Sequence, residues 1–260
     1  MTSAPARMLR YLYRLPMLAW HMLIDLPLVL LLMTPLTAHW RIGGETMEHR
    51  MVRVWSAGMM RVFGLRSRRR GTPLEGSTMF VANHVSWLDI VLLHSQRMMG
   101  LVAKQEIEDW PLVGWMAVRA ETIFHRRGNT ESMGGVTQTM LQRLRTGHSV
   151  GVFPEGRTRD GRELGPFHAR IFMAAVEAPA PIQPVALRYG RGGDAQAIIA
   201  FTPGETFVSN FFRVLGEPAR DAEVIFLQPI RAGDAQGRSG LADIARERIG
   251  AALRDVARVE

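Results

Sequence analysis

Two clusters of charged residues, some seventy residues apart, contain the side chains of this 260-residue chain best suited to chemistry. The first reads Asn-His-Val-Ser-Trp-Leu-Asp over residues 83–89 and follows a short apolar run. Ser86 with an acid three residues later is typical of a helix start, which places His84 in the preceding loop and Asp89 in the first helical turn. The Asp89 carboxylate can then reach the imidazole and fix its tautomer, leaving the other ring nitrogen free as a general base. The spacing alone is also compatible with a capping aspartate beside an ordinary loop histidine.

The second cluster follows the apolar run Val150–Phe153. Residues 151–161 read Gly-Val-Phe-Pro-Glu-Gly-Arg-Thr-Arg-Asp-Gly, which predicts a strand ending in a turn rich in glycine and charge. Arg157 and Arg159 could hold phosphate there, because a guanidinium binds phosphate oxygens in bidentate fashion and glycine lets the backbone approach. For such a pattern taken alone, a solvated loop in which Glu155 and the arginines neutralise one another is the commoner outcome.

Several kinds of active site are excluded by the residue types of the chain. Without cysteine there is no thiolate nucleophile, no disulfide and no cysteine zinc site. No histidines and acids have the spacing of a metal site. Gly147–Gly151 fits the G-x-S-x-G pattern of serine hydrolases, which needs a strand before the serine and a helix after it. Here the predicted order is the reverse, so Ser149 is interpreted as a packing residue at the start of a strand.

The elements that must position these residues alternate along the chain from about residue 77. Apolar runs predict strands over Met79–Ala82, Gly100–Ala103, Thr122–Phe124, Val150–Phe153, Ile182–Tyr189, Ala197–Phe201 and Glu223–Leu227. Helical periodicity predicts helices over Ser86–Gln96, Pro111–Arg119, Ser132–Arg145, Phe167–Glu177, Phe207–Leu215 and Leu241–Val256. This alternation predicts an α/β fold with a largely parallel sheet covered by helices. The site is expected in loops at the strand ends.

The positive charge of the chain is concentrated in its first seventy residues, which hold eleven arginines and three acids. They account for the net charge of +8, and residues 71–260 are balanced. A nucleic-acid-binding protein would spread basic and aromatic residues over its folded domain, so no nucleic-acid partner is expected. Basic residues interleaved with apolar ones favour an anionic membrane surface. The segment Gly-Thr-Pro at residues 71–73 is typical of a turn or linker, and we place a domain boundary there. Residues 1–70 are the helical membrane-anchoring region, and residues 71–260 are an α/β domain.

Two segments of the N-terminal quarter are expected to be helical. Residues 15–38 are apolar and long enough to span a bilayer, but Asp25 lies near the middle, and Pro27 and Pro35 interrupt the helix. We therefore expect a re-entrant or interfacial anchor in preference to a true span. Methionines and aromatic residues recur every four positions over Met47–Leu65, which is typical of an amphipathic helix. That helix is expected on the membrane surface, with packing against the protein core as the alternative.

Taken together, the two charged clusters resemble motifs of the glycerolipid acyltransferases, the family of 1-acylglycerol-3-phosphate acyltransferases. That family carries N-H-x-S-x-x-D and, some seventy residues on, F-P-E-G-T-R-S, which align with residues 83–89 and 153–159. Its K-x-E-L…P…G…F-I-D-R segment corresponds to Lys104-Gln-Glu-Ile, Pro111, Gly114 and Phe124-His-Arg-Arg, and its V-P-V element to Gln-Pro-Val at residues 183–185. Four motifs in this order, over roughly residues 75–190, make a specific match.

The resemblance implies transfer of an acyl group from a thioester, either acyl-CoA or acyl carrier protein, to the hydroxyl of a lysophospholipid. His84 would take the hydroxyl proton and Asp89 would orient His84, with no covalent acyl-enzyme, no metal and no cofactor. Six residues would bind the acceptor, namely Lys104, Arg127, Glu155, Gly156, Arg157 and Arg159. The expected location is the inner membrane, with the catalytic domain facing the cytoplasm.

Departures from the family motifs bear on the identity of the acceptor. The usual E-G-T-R reads Glu-Gly-Arg-Thr-Arg over residues 155–159, so either Arg157 or Arg159 is expected to meet the phosphate. The usual F-I-D-R reads Phe-His-Arg-Arg over residues 124–127, with a base in place of the acid. The expected acceptor is 1-acylglycerol-3-phosphate, giving phosphatidic acid. The alternatives are another lysolipid, such as lyso-ornithine lipid, and a non-catalytic lipid-binding membrane protein.

Overall fold

A sheet with helices on its faces forms the centre of the fold in the computed structural model, which describes residues 3–34, 36–37, 40–110, 113–125 and 130–255. The strands within these residues are β1 (Arg41–Ile42), β2 (Glu45–Thr46), β3 (Leu65–Arg70), β4 (Met79–Ala82), β5 (Gly100–Lys104), β6 (Ile123–His125), β7 (Val150–Val152), β8 (Ile182–Tyr189) and β9 (Arg220–Phe226). The helices are α1 (Ala4–Trp20), α2 (Leu26–Leu32), α3 (Met47–Val62), α4 (Leu88–Gln96), α5 (Val113–Arg119), α6 (Thr130–Arg145), α7 (Met173–Glu177), α8 (Gln196–Ile199), α9 (Phe207–Leu215) and α10 (Gly237–Arg254).

Seven of these strands form the main sheet, in the order β3-β9-β8-β4-β7-β5-β6. Every neighbouring pair is parallel except β8 and β9, which are antiparallel. The central strand β4 is buried along its whole length, because helices cover both faces of a parallel sheet and its strands are correspondingly apolar. The predicted α/β fold with a largely parallel sheet is confirmed, and β1 and β2 form a separate antiparallel hairpin.

The sheet begins at Leu65, six residues before the boundary predicted at residues 71–73. Arginines 66, 68, 69 and 70, interpreted from the sequence as a basic cluster after a helix, lie on the edge strand β3. Their pairing with β9 places Arg66 2.8 Å and Arg70 3.2 Å from carboxylates of that strand. Charged side chains suit an edge strand, because they discourage further strand pairing.

One predicted strand is wrong: Ala197–Phe201 contains the short helix α8 instead. A short apolar run does not by itself distinguish a buried strand from a buried helical turn. Here the chain turns back after β8, and the side chain of Gln196 bonds to the backbone N–H of Tyr189 at 2.8 Å. That bond holds α8 over the end of the strand that precedes it.

The amphipathic helix predicted over Met47–Leu65 is α3, and its apolar face packs against the body of the protein. Met60 and Phe63 at its C-terminal end are buried in the core that α3 shares with α4 and the sheet. Of the two positions that the sequence allows for this helix, the structure therefore shows packing on the core. Its C-terminal residues lead directly into β3, which fixes them relative to the sheet.

The N-terminal segment Ala4–Leu32 is a continuous helix with one wider, π-helical turn at His21–Asp25. It is long and apolar enough to cross a membrane by length and composition, with a mean hydropathy of 1.9, and 11% of its most apolar window is buried. Asp25 accepts hydrogen bonds from the His21 ring and from the Trp20 indole. These bonds offset part of the cost of a carboxylate in apolar surroundings.

Two buried side chains attach this helix to the body. Arg14 donates hydrogen bonds to the carbonyl oxygens of Leu215 and Glu217, at 2.8 and 2.7 Å, where α9 ends. His21 stacks on Trp55 of α3 with a ring separation of 5.0 Å. A cation at a helix C-terminus is favourable because the last carbonyls have no partner within the helix.

Candidate active site

His84 and Asp89 are in direct contact at the carboxyl end of the central strand β4. The chain leaves β4 at Ala82 and begins α4 at Leu88, so His84 lies in the loop and Asp89 in the first helical turn, as predicted. His84 Nδ1 lies 2.8 Å from Asp89 Oδ2. Asp89 is fully buried, and 15% of the His84 side chain is exposed.

The loop itself holds Asp89 in place. Its Oδ2 atom also accepts hydrogen bonds from the backbone N–H groups of Val85 and Ser86, at 2.6 and 2.9 Å. Backbone N–H groups can only donate, so Oδ2 acts as the acceptor in these bonds. In a neutral His84 ring the nitrogen that donates to Oδ2 is therefore Nδ1, and Nε2 carries no proton.

Tyr189, at the end of β8, completes the surroundings of this pair. Its hydroxyl donates to Asp89 Oδ1 at 2.7 Å. Burial, and secondly the negative charge of Asp89, raise the pKa of Tyr189 well above its usual value, so the phenol remains a donor. Sequence reasoning missed this residue, because nothing in an apolar strand indicates a contact with a side chain a hundred positions earlier.

The ring of His84 is held by stacking and has one nitrogen free. It lies against Phe153 with the ring centroids 4.0 Å apart and an angle of 14° between the planes. Nε2 has no hydrogen-bond partner among the described residues, and His84 lines two adjoining cavities. A neutral imidazole with a free Nε2 at a cavity wall is arranged to accept a proton from a bound molecule.

Glu155 ties the second charged cluster to the first. It is 4% exposed. Its Oε1 accepts the backbone N–H of His84 at 2.9 Å, and its Oε2 accepts the N–H of Gly165 at 2.8 Å and lies 3.0 Å from Arg159. The backbone N–H of Arg159 in turn donates to the carbonyl oxygen of His84. The two motifs thus form one bonded unit.

The two predicted arginines point to different places. Arg157 lines a largely apolar cavity of about 610 Å³ together with Lys104, whereas Arg159 lines a more polar cavity of about 900 Å³ and pairs with Glu155. Neither the Lys104 nor the Arg157 side chain has a hydrogen bond or an ion pair within the described residues, and both residues are exposed. Arg127 lies outside the described residues.

Gly156 separates the paired Glu155 from the free Arg157. Its backbone has φ of +69°, a conformation that favours glycine. A Cβ atom here would lie 3.2 Å from the ring of His168. The glycine therefore leaves the wall of the smaller cavity open at the turn after β7.

Aromatic side chains from separate parts of the chain line the smaller cavity. Trp110 packs edge-on against Phe207 at 5.2 Å, and both line this cavity. Trp110 is 39% exposed. In the described part of the chain, no three or more His, Asp or Glu side chains are grouped so that they could hold a metal ion.

The chain is similar to known proteins in sequence and in fold. The sequence profile of the family described as Acyltransferase matches residues 60–188. The chain is 34% identical over 209 residues to a lyso-ornithine lipid O-acyltransferase of Pseudomonas aeruginosa, covering 80% of each protein. It is 30% identical over 192 residues to a 1-acyl-sn-glycerol-3-phosphate acyltransferase of Neisseria gonorrhoeae, covering 74% of this chain and 75% of that protein. The crystal structure of the 1-acyl-sn-glycerophosphate acyltransferase PlsC from Thermotoga maritima superposes with a TM-score of 0.75 over 98% of each chain, at 17% identity.

Proposed function

Because this chain belongs to the glycerolipid acyltransferase family, we propose that it transfers a fatty acyl group from a thioester to the free hydroxyl of a lysolipid at a membrane. The observation that carries the proposal is the bonded pair of His84 and Asp89, in which His84 lines two cavities. Two substrates must meet at one base in a direct transfer, and this geometry provides for it. Either acyl-CoA or acyl carrier protein would supply the thioester.

The reaction uses His84 as base and then as acid. Nε2 takes the proton of the acceptor hydroxyl while its oxygen attacks the thioester carbonyl, forming a tetrahedral intermediate. As the carbon–sulfur bond breaks, the imidazolium returns that proton to the departing thiolate, leaving an ester and a free thiol. Asp89 stabilises the imidazolium between these steps, because opposite charges attract strongly in a buried site. No acyl-enzyme is formed, which suits a chain without cysteine.

Lys104 and Arg157 are proposed to hold the anionic group of the acceptor. They are the cations of the smaller cavity that have no partner among the described residues, and guanidinium and ammonium groups bind phosphate and carboxylate oxygens. Arg127 is proposed to add charge to the same region, by its place in the family motif. Arg159 and Glu155 are already bonded to each other, so we assign them to holding the loop of His84, with Gly156 leaving room for the substrate.

Lyso-ornithine lipid is the acceptor that we propose first. Relatives named for that activity include the Pseudomonas protein at 34% identity, and the altered arginine motif departs from the pattern of the phosphatidate-forming enzymes. The second candidate is 1-acylglycerol-3-phosphate, supported by the Neisseria relative and by the two free cations. Both acceptors carry an oxyanion near a hydroxyl, as a carboxylate in one and a phosphate in the other.

The N-terminal helix is proposed to hold the enzyme on the inner membrane, with the catalytic domain facing the cytoplasm. Large apolar side chains are exposed along it, among them Leu12, Trp20 and Leu23. Exposed apolar surface of this extent favours lipid, and the excess of arginine in the same quarter of the chain favours anionic head groups.

The test is acyl transfer from labelled acyl-CoA and acyl carrier protein to a panel of lysolipids in mixed micelles. The panel contains lyso-ornithine lipid and 1-acylglycerol-3-phosphate, and the variants are His84→Ala and the matched control His148→Ala, an exposed histidine outside both cavities. We expect transfer by the wild type and the control, and a loss of at least about a hundredfold in His84→Ala. Equal activity of His84→Ala and wild type would leave a non-catalytic lipid-binding role as the better reading.

A further inference from the structure

Tyr189 contacts the pair of His84 and Asp89, and the mechanism proposed above gives it no role. Its hydroxyl is the donor to Asp89 Oδ1, whereas the loop N–H groups and His84 all bond to Oδ2. Within the described residues Oδ1 has no other partner. The two oxygens of Asp89 are thus held from opposite sides, one by the site loop and the other by the end of β8.

We propose that Tyr189 is a positioning residue for acyl transfer, whose hydroxyl fixes the orientation and charge of Asp89 and thereby sets the proton affinity of His84. This inference rests on the proposed function. The hydroxyl draws negative charge toward Oδ1, so less of it faces the imidazole. It also prevents the carboxylate from rotating about its terminal torsion, which is soft in aspartate.

The surroundings of Tyr189 make this contact specific. The side chain is fully buried in the core beneath α4, and its backbone N–H is bonded to the side chain of Gln196. The phenol therefore has a fixed position, and its hydroxyl has no second partner in the described part of the chain. A buried carboxylate oxygen without a donor is costly, so the pair constrain each other.

Other charged groups border His84 and bear on its titration. Glu155 and Arg159 bond to its backbone from the turn after β7. Lys104, Arg157 and His168 share the smaller cavity with it, and α10 contributes charged side chains, Asp243 and Arg246 among them, to the larger one. A change confined to the Tyr189 hydroxyl leaves all of these in place, so a shift in the proton affinity of His84 reports the contact with Asp89.

The experiment compares the full chain with Tyr189→Phe, which keeps the ring and removes the hydroxyl. With Asp89 less stabilised, His84 should bind its proton more tightly, and its pKa, followed by ¹⁵N NMR, should rise by roughly half to one unit. The acid limb of kcat/KM should move to higher pH by the same amount. We expect kcat to fall roughly three- to tenfold, with the KM values of both substrates unchanged.

The matched control is Tyr11→Phe, which removes a hydroxyl bonded at 2.7 Å to the carbonyl oxygen of Phe212, away from the site. It should leave the pKa of His84 and kcat at their wild-type values. In an Asp89→Asn background, Tyr189→Phe should cause no further shift in the pKa of His84. If Tyr189→Phe does not fold, Tyr189→3,5-difluorotyrosine serves instead, because its stronger donor should move the pKa of His84 downward.

A wild-type pKa and kcat in Tyr189→Phe, or an unchanged pKa in the fluorinated protein, overturns the inference. The same holds if Tyr11→Phe shifts the pKa of His84 as much as Tyr189→Phe. The NMR titration needs no turnover. A wild type that transfers no acyl group therefore refutes the proposed function, while the titration still decides whether Tyr189 acts on His84.

Discussion

Asp89→Asn tests the electrostatic part of the mechanism, because it removes the charge of the side chain while keeping its size. The carboxylate is fully buried and lies 2.8 Å from His84 Nδ1. When His84 takes a proton, charges centred about 4 Å apart interact by about 4 kcal/mol at an effective dielectric constant of about 20. Each ~1.4 kcal/mol is tenfold in rate, so we expect kcat to fall about a thousandfold.

The direction of the pH dependence provides a second check. Without the negative charge the imidazolium is less stable, so the pKa of His84 should fall and the acid limb of kcat/KM should move to lower pH. That direction is opposite to the one expected for Tyr189→Phe. The assay follows release of the free thiol from the thioester together with formation of the lipid product, so that thioester hydrolysis is not counted as transfer.

The control for this substitution is Asp221→Asn, the same chemical change in an exposed pair with Arg66, also at 2.8 Å. Exposed ion pairs contribute little, so this variant should have the wild-type rate. Thermal unfolding of both variants separates loss of folded enzyme from loss of rate. A folded Asp89→Asn enzyme that retains more than about a tenth of the wild-type kcat would refute the electrostatic argument.

Three further predictions concern the cations of the smaller cavity, the turn after β7 and a buried histidine of α4. Arg157→Ala and Lys104→Ala should each raise the acceptor KM about tenfold or more with kcat nearly unchanged, whereas no change in either KM would contradict their assignment. Gly156→Ala should lower the free energy of unfolding by about 1–3 kcal/mol, measured by urea unfolding, because alanine is strained at this positive φ and its methyl group meets His168. Burial lowers the pKa of His94 to about 4. Between about pH 6.5 and pH 4 the imidazole is therefore protonated in the unfolded chain but not in the native state. Stability should therefore fall by up to about 1.4 kcal/mol per unit as pH drops from about 6.5 towards 4, and His94→Gln should flatten this slope; a slope identical in both proteins would contradict the assignment.

The positions of His84 and Asp89 in the fold could be predicted from the residues next to them in the sequence. A buried apolar run, then a capping pattern, located His84 before a helix and Asp89 within it, and the structure has them in contact. The alternation of helices and strands predicted the largely parallel sheet for the same reason. The hydrophobic periodicity and the length of each element can be read from consecutive residues. The strand predicted at residues 197–201 was wrong because a run of four or five apolar residues is too short to show whether its periodicity is that of a strand or of a helix.

Contacts between segments that are far apart in the sequence could not be predicted from neighbouring residues. The arginines of β3 gave no strand signal, and that segment is a strand because β9 offers it backbone partners and the carboxylates of Asp221 and Glu223. The separate directions of Arg157 and Arg159 likewise depend on the turn after β7 and on the buried Glu155 that binds one of them.

By itself, the sequence determined the α/β fold and the two motifs at residues 83–89 and 153–159, because each depends on residues close together along the chain. The resemblance of those motifs to a known family indicated acyl transfer. Only the tertiary structure decided that α3 packs on the core, that Arg157 and Lys104 are the cations left free within the described residues, and that Tyr189 holds the second oxygen of Asp89. Those outcomes depend on which segments the packed sheet brings together, and the sheet joins segments that the order of the residues leaves a hundred positions apart.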